Sequence, residues 1–471
     1  MNAAAPYHPA IQFRTLFFLL VVSVVVALFT GQYVLLATVP GLLLTFTGIQ
    51  YPRILFFLLL ATIPLSLEIK LTPELGTDIP DELLMWLLSA IIPIIIVLQP
   101  GKMLPVVRHP LLLLLLSGLC WTMITVFYST HPLLSVKYFL AKTWYIIPFC
   151  LGTIFFLEKR QYILLAAKCM VLTMALATTV VLTRHAFAGF SFEQVNDVAR
   201  PVFRNHVNYA ALLVCMIPVC FALYKTAARF RFAWFIILLI FLTALFFTYS
   251  RGAWLALAAA LITIVVVRKK MLLWLIASVS VMVIAAVLWF SSGNRYLDYR
   301  PVYEQTIYHS NFDEHIEATY AMRDLSTAER FYRWIAAFRM SSERLLTGYG
   351  PNSFYFEYKP YAVNSFTTYV SANQEHSTVH NYFLLLLVEQ GIPGLLLFVA
   401  LFFSMMLYAQ HIYHRNQDKW ERGLMLVVVS LLGMIGVLIF LSDLMETDKI
   451  GSLFYICLGL LVSTRSGKTS G

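Results

Sequence analysis

A histidine stands at the threshold of a long apolar run in the stretch "STVHNYFLLLLVEQGIPG", residues 377–394. A neutral imidazole accepts a proton near physiological pH, so His380 is a candidate general base. The adjacent Asn381 could orient the imidazole, bind a sugar or cap the helix that follows. Glu389 lies about 13 Å further along a continuous helix, too far to contact His380. We expect Glu389 to have a structural role, such as pairing with a lysine.

A second candidate is the arginine in "SRGAWLA", residues 250–256, which stands where another apolar helix begins. A cation at that depth is costly unless it is paired or solvated. Arg251 therefore either anchors the helix by extending its guanidinium to the interface or binds an anion there. Its small neighbours Ser250 and Gly252 leave room for a ligand beside the guanidinium.

Two further arginines lie in the polar stretch "LSTAERFYRWIAAFRMSSERLLTGYGPNSF". Ser326 and Glu329 form a capping box, which predicts an amphipathic helix from about 327 to 342. The first turns of that helix carry Arg330 and Arg333, and the N-terminal end of a helix favours anions. We therefore expect Arg330 to contact an anion, with Arg333 beside it. A solvated helix face is the alternative for each arginine.

The sequence "RNHVNYAALL" opens another apolar run with four polar residues that could bind a substrate: Arg204, Asn205, His206 and Asn208. Earlier in the chain, Lys137 and Lys142 are five positions apart and do not share a stripe of one helix. Lys137 is nearer the expected outer surface and is the better candidate for a substrate headgroup. Either lysine could instead extend to the interface or pair with Glu389.

The composition sets these residues in a membrane. The chain has 471 residues, of which 60% are hydrophobic and only 12% charged, and its mean hydropathy is +0.77. Soluble domains are about 45–50% apolar, and runs of about 18 apolar residues can cross a hydrocarbon core. The six cysteines lie in such runs, which argues against a disulfide framework or a zinc site. We expect an all-α polytopic integral membrane protein with fourteen candidate spans: about 14–30, 32–49, 53–68, 83–99, 110–128, 132–157, 161–183, 206–224, 230–248, 251–267, 271–290, 381–410, 422–442 and 449–464.

The charges of the connections predict the orientation. One alternate set of connections, together with the two tails, carries most of the basic residues, whereas the other set includes the acidic stretch "EIKLTPELGTDIPDE". The positive-inside rule then places both termini in the cytoplasm. The chain divides into about eleven spans in residues 1–290, an outer loop at 291–380 and about three spans in 381–471. The net charge of +10 needs no nucleic-acid partner, since it reflects this bias.

This orientation predicts a basic pocket with one histidine on the outer face, open to lipid. Arginines supply permanently charged forks for phosphate oxygens. Like charges around the histidine disfavour its protonation, so we expect a lowered pKa and a neutral imidazole at pH 7. Such a pocket suits a lipid that carries phosphates.

Four motifs resemble the O-antigen ligase and polymerase superfamily, most closely the O-antigen ligases: "RNHVNYAALL", "SRGAWLA", "ERFYRWIAAFRMSSERLLTGYGPNSF" and "HNYFLLLLVEQGIPGLLLF". The resemblance implies a multi-pass protein of the bacterial inner membrane with about twelve spans, so that 12–14 is the expected range. It also implies transfer of a polysaccharide from undecaprenyl diphosphate to a hydroxyl of lipid A-core at the periplasmic face, without metal or cofactor. The essential residues of the family carry over to Arg251, Arg330 and His380.

Several alternatives stay open at this point. A polymerase would use another lipid-linked repeat unit as acceptor, and a protein oligosaccharyltransferase would use serine or threonine. Asp78 and Asp81 could supply a base or metal ligands, as in transferases that use polyprenyl-phosphate sugars. A flippase for lipid-linked glycans would also have many spans and basic cavities, but it would form no product.

Overall fold

The structure is a computed structural model, and the part of the chain that it describes comprises residues 41, 45–46, 48–72, 75–293, 325–362 and 378–464. The predicted span 14–30 lies outside these residues, and 32–49 lies mostly outside them. Most of the predicted outer loop 291–380 also falls there, apart from its amphipathic helix and the turns that follow it.

The first half of the described chain contains a short hairpin and the following helices. They are α1 (Pro52–Thr62), β1 (Leu67–Thr72), β2 (Leu75–Ile79), α2 (Asp81–Leu98), α3 (Pro100–Val107), α4 (Pro110–Phe127), α5 (Pro132–Phe156), α6 (Arg160–Phe187), α7 (Val195–Ala199) and α8 (His206–Thr226). The second half adds α9 (Arg231–Phe247), α10 (Arg251–Arg268), α11 (Leu272–Ser291), α12 (Leu325–Glu343), α13 (Phe354–Glu357), α14 (Tyr382–Arg415), α15 (Lys419–Leu441) and α16 (Asp448–Ser463).

The all-α membrane fold class is confirmed. Each of the twelve predicted spans from 53–68 onward coincides with a helix, and within the described residues nine helices are long and apolar enough to cross a membrane. The acidic connection holds an exception, since β1 and β2 pair antiparallel with Leu67 opposite Ile79. The predicted amphipathic helix is also confirmed, because α12 runs over Leu325–Glu343.

Long antiparallel helices fix which helix ends meet. The start of α10 packs on the end of α15, where a Cβ added to Gly252 would lie 3.3 Å from Leu441 Cδ1. At the other end of α15, Trp420 lies under the Arg160 guanidinium, with 4.5 Å from the guanidinium carbon to the ring centroid. The 23 residues of α15 separate these ends by about 34 Å. We call them the Leu441 end and the Trp420 end of the bundle.

A break in α14 changes the direction of the helix after its third turn. Gly391 has φ +69° and ψ −173° inside the helix, and Pro393 lacks the amide hydrogen that a regular helix would use. The predicted break in the Gly-Ile-Pro-Gly sequence is therefore confirmed. The piece before the break starts directly after His380 and holds this residue at the Leu441 end.

Candidate active site

His380 lies in a sharp turn that the following helix fixes. Its φ of +55° places it in the left-handed region, which a non-glycine residue adopts only where its surroundings compensate the strain. Asn381 is the N-cap of α14, because its Oδ1 accepts a hydrogen bond from the amide of Leu384 at 3.0 Å. The Asn381 side chain is thus engaged in capping, and its predicted contact with substrate stays a prediction.

A carboxylate that the sequence analysis missed lies next to the histidine. His380 Nδ1 is 3.9 Å from Asp443 Oδ1, and about a third of the imidazole side chain is exposed. The Thr378 hydroxyl donates to Asp443 Oδ2 at 2.5 Å, which orients the carboxylate. Asp443 lies two residues after the last residue of α15, at the Leu441 end. Its position in a short connection on the face assigned to His380 was the one signal in the sequence that could have found it.

The amphipathic helix α12 brings two arginines to the same place. Arg333 is buried, and its Nη1 donates to the carbonyl oxygen of Thr378 at 2.6 Å. One residue further on, the Trp334 ring packs edge-on against Phe440 near the end of α15, with 5.9 Å between the ring centroids. These contacts place the first half of α12 over the Leu441 end, and Arg330 is half-buried there.

The electrostatic surroundings keep His380 neutral. Burial lowers the pKa of the imidazole from 6.5 to about 4, although the Asp443 carboxylate acts in the opposite direction. The value of about 4 includes smaller lowering contributions from the positive charges of Arg333 and Arg330. The sequence predicted this direction from like charges alone, whereas the largest cause is burial.

Arg251 lies at the same end of the bundle. It is the first residue of α10, half-buried, and it follows Tyr249, whose φ of +53° turns the chain sharply into the helix. Gly252 packs closely on Leu441, the last residue of α15. Leu441 is two residues before Asp443 in the sequence, so the turn before α10 lies near Asp443. The structure thus brings Arg251 to the end that holds Arg330 and His380, and its role as an anion ligand stays a prediction.

The polar cluster before α8 is built into the fold. Asn205 Oδ1 caps α8 by accepting from the amide of Asn208 at 2.9 Å, and His206 Nδ1 lies 2.6 Å from Asn196 Oδ1. Next to this cluster, the Phe203 ring lies 5.4 Å from the ammonium of Lys449 at the start of α16. Because α16 starts shortly after α15 ends, this contact places the cluster, with the exposed Arg204, at the Leu441 end. The described contacts of the cluster itself join α7 to α8.

The two lysines of α5 differ from each other. Lys137 is exposed, so its predicted contact with a headgroup stays a prediction. Lys142 donates to the hydroxyl of Tyr382 at 2.7 Å and lies 3.2 Å from Glu446 Oε1. The expectation that a lysine would pair with Glu389 is wrong, because the carboxylate of Glu389 accepts hydrogen bonds from backbone amides instead.

The acidic residues of the hairpin connection face one another. Asp81 is fully buried, and its carboxyl group lies within hydrogen-bonding reach of Asp448. Burial, followed by the nearby Asp448 charge, raises the pKa of Asp78 to about 7. In the described ranges, no group of three or more histidine, cysteine or acidic side chains is arranged to hold a metal ion. Asp78 and Asp81 thus lie close to Asp448, at the start of α16.

The arrangement at the Leu441 end combines a neutral proton acceptor with permanent positive charge. Such a site suits a reaction in which a hydroxyl loses a proton while an anionic group departs.

Comparison with known proteins identifies part of the chain. Residues 235–399 match the family model described as O-antigen ligase. The match contains Arg251, Arg330 and His380 but ends before Asp443, and it leaves out the cluster before α8. A search of curated proteins finds no match.

Proposed function

Because the chain belongs to the O-antigen ligase superfamily, whose members are ligase- and polymerase-type glycosyltransferases, we propose that it transfers a glycan from undecaprenyl diphosphate to a hydroxyl of lipid A-core. The observation that carries the proposal is the meeting of His380, Asp443 and Arg330 at one end of the bundle. The donor diphosphate supplies an anion that the arginines can bind, and the acceptor supplies the proton that the imidazole takes.

The transfer step follows from these groups. The acceptor oxygen attacks C1 of the glycan, and the bond between C1 and the diphosphate oxygen breaks with its electron pair on the leaving group. Arg330 and Arg251 stabilise the charge that grows on this diphosphate, and their guanidinium groups match phosphate oxygens in pairs. His380 takes the proton of the acceptor hydroxyl. A single displacement of this kind inverts the anomeric centre.

Donor binding strengthens the base. In the protein without donor, the pKa of His380 is about 4, so its imidazole is a weak proton acceptor at pH 7. A bound diphosphate cancels the positive charges of Arg330 and Arg333 that lower this pKa, so the imidazole becomes more basic once the donor is in place. Asp443 then stabilises the imidazolium that forms as the proton arrives.

The charge distribution supports a site on the periplasmic side of the inner membrane. Basic residues at the Trp420 end lie over aromatic rings, as Arg160 does over Trp420 and Arg422 does over Tyr413. Cations and aromatic rings of this kind are typical of a membrane interface, and an excess of lysine and arginine is typical of the cytoplasmic one. The Leu441 end, with His380, would then face the periplasm.

Reconstitution tests the function. The purified protein in liposomes is supplied with a glycan on undecaprenyl diphosphate and with one of three acceptors: lipid A-core, a second lipid-linked glycan or a serine-containing peptide. We expect a covalent product with lipid A-core that is lost in His380→Ala. A product with only the lipid-linked acceptor would make the protein a polymerase, and movement of the donor across the bilayer without any product would make it a transporter.

A further inference from the structure

The break in α14 leaves two backbone carbonyl groups without their helical partners. In a regular helix the Val388 carbonyl would accept from the amide of Ile392, and the Glu389 carbonyl from residue 393. The Ile392 amide instead donates to the Leu345 carbonyl at 2.8 Å, and Pro393 has no amide hydrogen. Buried carbonyl groups need other donors, so the break creates a place for another segment to bind.

Residues 344–354, which directly follow α12, fill this place, and we call them the crossing segment. The amide of Tyr349 donates to the Val388 carbonyl at 3.0 Å, and the amide of Gly350 donates to the Glu389 carbonyl at 2.9 Å. Both carbonyl groups thus regain a partner through the segment.

Glycines make this close approach sterically feasible. A Cβ at Gly348 would overlap the backbone of Glu389, and a Cβ at Gly391 would overlap the carbonyl of Leu346. All three glycines of the contact, with Gly350, have positive φ, a region that other residues rarely adopt.

The side chain of Glu389 completes the contact. Its Oε2 accepts from the amide of Asn352 at 2.8 Å, and its Oε1 accepts from the amide of Phe354 at 3.2 Å. Only 3% of Glu389 is exposed. A carboxylate buried to this degree is costly unless its oxygens are bonded, and here two oxygens meet two amides of the crossing segment. A glutamine could not reproduce this, because its NH₂ group would face an amide N–H.

The crossing segment therefore attaches the end of α12 to α14. The other attachment is the hydrogen bond from Arg333 to the Thr378 carbonyl, close to His380. Arg330 and the last residue of α12, Glu343, are about 20 Å apart along the helix, so the two attachments set its direction. If the attachment at the break were lost, the half of α12 that carries Arg330 would no longer be aligned over His380.

We propose that Glu389 is a positioning residue, whose carboxylate holds the crossing segment in the break of α14 and thereby keeps Arg330 beside His380. The proposal rests on the proposed function, because that function gives Arg330 and His380 their roles. The placement of α12 itself can be measured without any glycan. Glu389 touches neither substrate nor reacting atoms in this account, and it acts through α12 alone.

Hydrogen exchange of the reconstituted full chain provides the first readout. In Glu389→Gln we expect amide exchange at least about tenfold faster in peptides of residues 344–354 and 325–343, because opening of the attachment exposes these amides. Peptides from α15 should exchange at the wild-type rate. The matched control is Glu421→Gln, the same substitution in the first turn of α15 at the Trp420 end. It should leave the exchange of both regions unchanged.

The titration of His380 provides the second readout, and it distinguishes positioning from mere stabilisation. Carbethoxylation by diethyl pyrocarbonate, followed at His380 by mass spectrometry from pH 4 to 8, reports the neutral imidazole. Misalignment of α12 moves the positive charge of Arg330 away from the imidazole, so the midpoint should rise above its wild-type value of about 4 in Glu389→Gln. A role in stability alone would lower the amount of folded protein and leave the midpoint where it is.

The outcomes are separable from those of the transfer assay. Faster exchange of both regions with a raised midpoint supports the proposal, even if no acceptor yields a product. Unchanged exchange in 325–343 or an unchanged midpoint overturns it, even if transfer is confirmed. If Glu389→Gln does not fold, Glu389→Asp serves the same test, because the shorter carboxylate reaches one amide at most. It should then give an intermediate effect, and wild-type behaviour of Glu389→Asp in both readouts would overturn the proposal.

Discussion

Replacing Asp443 with asparagine should slow transfer without abolishing donor binding. The carboxylate lies 3.9 Å from His380 Nδ1. In the proposed mechanism it stabilises the imidazolium that forms as the acceptor is deprotonated. Asparagine keeps the size and one acceptor oxygen but removes the charge. Since the arginines and not Asp443 bind the diphosphate in the proposed mechanism, the dissociation constant of the donor should stay the same within about twofold.

The distance sets the size of the effect. Two unit charges about 4 Å apart interact by about 1 kcal/mol in water and about 4 kcal/mol near a protein surface. About a third of the His380 side chain and a quarter of the Asp443 side chain are exposed, so solvent weakens the interaction. An intermediate value of about 2 kcal/mol corresponds to a turnover about 30-fold slower.

Single-turnover transfer in proteoliposomes, at saturating donor and acceptor, is the assay for Asp443→Asn. Asp418→Asn is the matched control, because Asp418 caps the opposite end of α15 and asparagine caps helices equally well. Turnover should fall in the first variant only. A rate for Asp443→Asn within about twofold of the wild type would refute the role of Asp443, and so would an equal loss in the control.

Three further predictions concern charge, packing and the break in α14. With Arg330→Gln, the midpoint of the acid limb of kcat/KM should move from about 4 to a higher pH, because one positive charge that lowers the pKa of His380 is gone. A midpoint that stays in place would contradict this. Lys142→Met should lower the unfolding temperature in detergent, because the half-buried carboxylate of Glu446 and two tyrosine hydroxyls lose a donor, at a cost of about 1–3 kcal/mol. Lys137→Met, at an exposed position, should not lower it. Gly391→Ala should reduce the folded yield because its Cβ would overlap a backbone carbonyl, whereas Gly118→Ala, which has open space, should be tolerated; equal yields would contradict the packing described.

Much of the fold could be predicted from local sequence patterns. Hydropathy predicted the helices from 53–68 onward, since each apolar run is long enough to be a helix regardless of its neighbours. Capping by Asn381 and the break at Gly391 and Pro393 are also local, because they depend on which amides and conformations a short stretch provides. The hairpin Leu67–Ile79 was missed: the predicted span 53–68 includes only its first two residues, and the rest was read as an acidic connection.

A site residue could be predicted from the sequence only where its residue type and the end of the bundle on which it lies were sufficient to identify it. His380 and Arg330 share an end of the bundle because the helices alternate in direction, and the sequence indicates that much. The partners of Asp443 and Glu389 depend on tertiary contacts between segments about 60 and 40 residues apart, and no local pattern in the sequence pairs these residues. For the same reason, Lys142 was not matched to Glu446 in advance.

The most direct test of the central claim is the release of undecaprenyl diphosphate in a single turnover, measured together with donor affinity, for the wild type and His380→Gln. We expect release in the presence of acceptor to fall at least about 100-fold in His380→Gln, the range expected for the loss of a general base, while the donor binds as before. Release at the wild-type rate would contradict the assignment of His380 as the base that activates the acceptor.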